Sequence, residues 1–95
     1  MIIGKYALQV TDAQMVHMPI GAEILSVQFQ KTNGMEQLQL WALINPDVYQ
    51  MELRTISIVG TGNYCDRPGK FIGMVQEAGG ALVWHVFDAT VKRVI

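Results

Sequence analysis

A mainly β fold, a small antiparallel barrel or sandwich of six to seven short strands with little helix, is what the sequence predicts. Three observations predict it. Apolar and polar residues alternate with period two along much of the chain. Turn signals recur at short intervals, at Asn33-Gly34, Pro46, Gly60 to Gly62, Pro68-Gly69 and Gly79-Gly80. No stretch carries a sustained helical apolar period. Ninety-five residues are too few for two independent cores, so residues 1–95 form one domain.

The elements follow in order. KYALQV (5–10) sets Tyr6, Leu8 and Val10 against Lys5, Ala7 and Gln9, a half-buried strand. TDAQ (11–14) matches a capping box, but no helical period follows it, which makes it a turn. QMVHMP (14–19) reads as a short edge strand stopped by Pro19 and turned by Gly21. ILSVQFQK (24–31) places Leu25, Val27 and Phe29 on one face and Ser26, Gln28 and Gln30 on the other. Asn33-Gly34 tolerates the positive φ of a type I′ turn and leads into QLQLWALI (37–44), with Leu38, Leu40, Ala42 and Ile44 on one face. Those two strands make a hairpin.

Pro46 ends that strand, and NPDVYQMEL (45–53) is a connection with room for one helical turn. LRTISIVG (53–60) turns Ile56 and Ile58 inward and Thr55 and Ser57 outward. KFIGMVQ (70–76) and ALVWHVFD (81–88), separated by EAGG, form a second hairpin. ATVKRVI (89–95) offers one more strand, to be added onto a neighbouring chain.

Composition excludes several classes of function. The chain is 51% hydrophobic and 16% charged, too apolar for disorder, and its apolar runs stop well short of the ~20 residues that cross a bilayer. The N-terminus has no basic segment and no small-residue cleavage site, so no secretory signal is expected. Seven Lys and Arg against eight Asp and Glu give a net charge of −1, without the basic excess of a general nucleic-acid coat. A single cysteine, Cys65, fits a reducing cytosol, and with His17 and His85 it cannot complete a structural zinc site. WALI and VWHVF are apolar on both faces, so each strand is either central or covered by another subunit. A homo-oligomer is the expectation.

Residues 58–70, IVGTGNYCDRPGK, are the strongest candidate for binding chemistry. A Walker A loop needs glycine where Tyr64 stands and Ser or Thr where Phe71 stands. The dinucleotide fingerprint needs a third glycine where Cys65 stands. Both motifs are absent. Two glycines flanking Thr61 still allow backbone amides to converge on an anion, with Asn63, Tyr64, Arg67 and Lys70 as further donors or a stacking ring and Arg54 nearby. The plainer reading is a long turn bent by Pro68-Gly69. Trp41 and Trp84 are core or interface residues, or else base-stacking platforms. The scattered carboxylates and the lone thiol point to no catalytic pair, no metal and no cofactor.

GAEILSVQ (21–28), LWALINP (40–46), RTISIVGTG (54–62), GKFIG (69–73) and GGALVWHVF (79–87), kept in order over most of the chain, resemble a group of short tailed-bacteriophage proteins. The resemblance implies a non-enzymatic viral accessory protein made in the host bacterial cytoplasm. A looser likeness, in size, low charge and multimeric character, is to phage counter-defence proteins that sequester nucleotide messengers. The first functional expectation is therefore a sponge for a small phosphorylated ligand. The alternatives are a protein-binding inhibitor of a host defence or CRISPR enzyme, and a virion part.

Overall fold

The structure is a computed structural model and describes residues 1–66 and 69–90. The described residues form seven strands and one 3-10 turn: β1 (Ile2–Leu8), β2 (Ala13–Pro19), β3 (Glu23–Thr32), β4 (Met35–Ile44), β5 (Met51–Gly60), β6 (Lys70–Glu77), the turn Ala78–Gly80, and β7 (Leu82–Asp88). They form two antiparallel sheets, ordered β1-β4-β3 and β2-β5-β7-β6, that are not closed into a barrel. The fold is a sandwich.

Both inner faces supply the core. Leu8, Leu38, Leu40 and Ala42 come from the three-stranded sheet, and Met18, Ile56, Ile58 and Val86 from the four-stranded one. The alternation in QLQLWALI is realised as expected, and β4 is the central strand of its sheet. Asn33 (φ 51°) and Gly34 (φ 79°) carry the turn between β3 and β4.

The register departs from simple alternation at two bulges. In β3, Ile24 pairs with Ala42 and Ser26 with Trp41, which leaves Leu25 as an extra residue. Leu25 is therefore exposed while Ile24 packs on the core, reversing the face expected for it. In β6 the extra residue is Ile72. The connection at 45–50 contains no helical turn, and Val10 lies beyond the end of β1, exposed. EAGG bends through the short 3-10 turn rather than a two-residue hairpin loop. The proposed tail strand lies, beyond Thr90, outside the described residues.

The order β2-β5-β7-β6 has a consequence for the chain after β5. Strands β5 and β6 both run antiparallel to β7, so they are parallel to each other with β7 between them. Segment 61–69 is thus a crossover: it leaves Gly60 opposite Trp84 and must reach Lys70 opposite Asp88, four residues along β7, about 13 Å away. Gly69 makes the landing possible. Its φ is +95°, and a side chain there would run into the backbone of Asp88 and Ala89.

Candidate functional site

At the departing end of β5, the ladder with β2 stops at the Ala13–Ser57 pair, and the Ile58 N–H then donates to the Asp12 carbonyl. The chain next makes a tight turn in which the Asn63 N–H donates to the Gly60 carbonyl at 3.1 Å, with Gly62 (φ 86°) at the position that needs left-handed backbone. The Thr61 N–H donates to the Val83 carbonyl. In the proposed anion nest at Gly60-Thr61-Gly62 the central amide, that of Thr61, is therefore already bonded within the fold, as is the neighbouring amide of Asn63. The Thr61 hydroxyl lies 2.8 Å from His85 Nε2.

Behind this turn is a cavity of about 270 Å³ whose walls include Gly60, Asn63, Tyr64 and Trp84. Asp12, from the β1–β2 connection, and Asp66, from the loop itself, line it too. Trp84 is held by its Nε1–H, which donates to Glu77 Oε1 at 2.7 Å. Cys65 is exposed on the same wall, and His85 is engaged with Thr61 rather than with the thiol. Among the described residues no three His, Cys, Asp or Glu side chains are grouped to hold a metal ion.

The cations expected to join this loop are elsewhere. Lys70 sits at the far end of β7, across from Asp88. Arg54 is a structural residue at the edge of the core, where its guanidinium donates to Asp88 Oδ2 (2.6 Å), Glu52 Oε1 (3.0 Å) and the Ala22 carbonyl (2.8 Å). Its side chain is 15% exposed and that of Asp88 12%. Burial works against both charges but is outweighed. Hydrogen bonds from Thr90 and Arg54 hold the Asp88 carboxyl below its ordinary value, and Asp88 with Glu52 raises Arg54 above its own. Arg67 lies outside the described residues. Trp41 belongs to the other sheet, on its outer face beside Ile3 and Leu25. The structure thus brings together Gly60, Asn63, Tyr64 and Trp84, and keeps Arg54, Lys70 and Trp41 apart from them.

A second candidate is a surface. On the outer face of the four-stranded sheet, β2 presents Ala13, Met15 and His17, and β5 presents Leu53, Thr55, Ser57 and Val59. Strand β7 adds Val83, His85 and Phe87, and β6 adds Phe71, Met74 and Gln76. None of these is Lys, Arg, Asp or Glu. Met15, Leu53, Phe71 and Met74 are 66, 46, 54 and 50% exposed. Phe71 and Phe87 pack edge to face with centroids 5.5 Å apart. The charged residues of these strands, Glu52, Arg54, Glu77 and Asp88 among them, have the opposite parity and point to the core side, at its margins. A sheet with one face in water ordinarily shows the reverse. This signal was present in the sequence as parity, but it is visible only once the four strands are placed side by side.

No curated protein matches the chain, and no solved structure does. A family model described as a domain of unknown function, DUF7352, matches residues 1–94, and the chain belongs to that family.

Proposed function

We propose that this domain is a non-enzymatic binding module that works by protein–protein contact through the outer face of sheet β2-β5-β7-β6. The observation that carries the reading is that the described residues of that face include no Lys, Arg, Asp or Glu, while four large apolar side chains stand about half exposed or more. Met and Phe enrichment with depletion of charge is the composition of an interface core.

Between the two main expectations, geometry favours protein contact over phosphate capture. A phosphate held at Gly60–Gly62 would find the Thr61 and Asn63 amides engaged, Lys70 about 13 Å along the sheet, and Asp12 and Asp66 facing it. The phage-accessory setting rests on the motif resemblance alone.

Methionine oxidation tests the reading. In crude extract of cells making the protein, dilute peroxide should oxidise Met35, 74% exposed on the β3–β4 hairpin, while Met15 and Met74 are protected. Equal oxidation of all three would reject a covered face.

A further inference from the structure

We infer that the occupant of this face is a second copy of the same chain, stacked sheet on sheet about a two-fold axis. The inference rests on the interaction reading above and names its partner.

Three observations support it. The first is area. A folded monomer of 10.6 kDa is expected to expose about 5,500 Å², whereas this chain exposes 6759 Å². The difference is about 1,300 Å², and the seven residues outside the described set, if fully extended, would add a net of only about 900 Å². The molecule is also flat, 40 × 34 × 16 Å, with a radius of gyration of 13.8 Å where about 12.4 Å is usual for its length. It carries more surface than a self-sufficient domain needs.

The second observation is size. Four strands of 7, 10, 7 and 8 residues about 4.8 Å apart project to about 500 Å². Two such faces together reach about 1,000 Å², the size at which specific interfaces begin. The third is charge. A foreign partner is commonly selected by complementary charges, and this face has none to offer. An uncharged sheet is, however, complementary to itself under two-fold symmetry, and homodimer interfaces are the more apolar class. Among its described residues His17 and His85 are the titratable side chains, and Gln76 with Thr55 and Ser57 supply polar atoms.

Sedimentation of the purified chain over a range of concentrations, paired with the peroxide footprint on the same sample, tests this. The expected result is twice the 10.6 kDa chain mass, with Met15 and Met74 protected. Phe71→Glu and, independently, Met15→Glu on the edge strand should each halve that mass while keeping the β-sheet circular dichroism. Trp41→Glu on the other sheet should leave it unchanged. Should Phe71→Glu fail to fold, Met15→Glu carries the test alone. A monomer at every concentration overturns the inference, as does an oligomer that survives the folded face variants or that only Trp41→Glu dissociates. Protection in crude extract but not in the purified monomer also overturns the second copy, yet leaves the interaction reading standing.

Discussion

The outer faces of the two sheets differ although both sheets are built on the same period-two alternation. The three-stranded sheet shows water polar side chains: Gln28 is exposed and Lys5 donates through Nζ to Gln30 Oε1 at 3.0 Å, while Gln39 between them is buried. Of its apolar residues, Ile3, Leu25 and Trp41 line one groove with Gln28 and Gln30. Among the described residues, the outer face of the four-stranded sheet carries one glutamine, Gln76, and no Lys, Arg, Asp or Glu, and the sheet turns its charges toward the core margin instead. Alternation alone therefore does not say which side of a strand meets water. The placement of charge does, and here it separates a sheet with Lys5 on its outer face from one whose described outer-face residues include no Lys, Arg, Asp or Glu.

Substitutions can break that comparison from the inside outward. The inner faces should behave alike: Leu40→Ala in one sheet and Ile56→Ala in the other, both at 0% exposure, should each cost about 3–4 kcal/mol in urea unfolding. A large asymmetry would mean that the sheets do not share one core. Next in size is the inward ion network. Asp88→Asn leaves Arg54 with a weaker partner and should cost about 2–3 kcal/mol. Its pH dependence follows from the lowered Asp88 value. The unfolded state binds the proton more readily than the folded state, so this contribution is complete above the ordinary 3.8 and is lost as pH falls through the lower folded value. The acid limb of the wild-type stability curve should therefore be steeper than that of Asp88→Asn. Smaller again is Trp84→Phe, which removes the donor to Glu77 and should cost about 1–2 kcal/mol by thermal melting.

Local chemistry was legible wherever neighbours in sequence are neighbours in space. The Asn33-Gly34 hairpin, the inward Leu38-Leu40-Ala42 series and the edge position of β2 all belong to that class. What escaped depends on distant strands. Leu25 changes face because β3 is bulged against Trp41. Arg54 looks like a free cation until Asp88, 34 residues on, is folded beside it. The loop at 60–70 looks like one site because its residues are consecutive. The parallel placement of β5 and β6 sends its glycine turn and Lys70 to opposite ends of β7, and no residue within the loop announces that. β4 and β7, the strands that hold WALI and VWHVF, are interior strands of their sheets.

The smallest effect sharpens the comparison most. Gln28→Glu on the three-stranded sheet and Met74→Glu on the other each place one new carboxylate on an exposed strand position, the second at 50% exposure. Neither removes a core contact, so for the isolated chain each should alter unfolding stability by no more than about 0.5 kcal/mol. If both outer faces met water, the two variants would be indistinguishable in every measurement. If the four-stranded face is covered, Met74→Glu buries a charge without a partner wherever the contact forms. Its melting temperature should then drop relative to Gln28→Glu at high protein concentration and converge with it on dilution, because only the associated state pays for that carboxylate. Melting curves for the pair across a dilution series check this, and parallel curves at all concentrations would make the two faces equivalent.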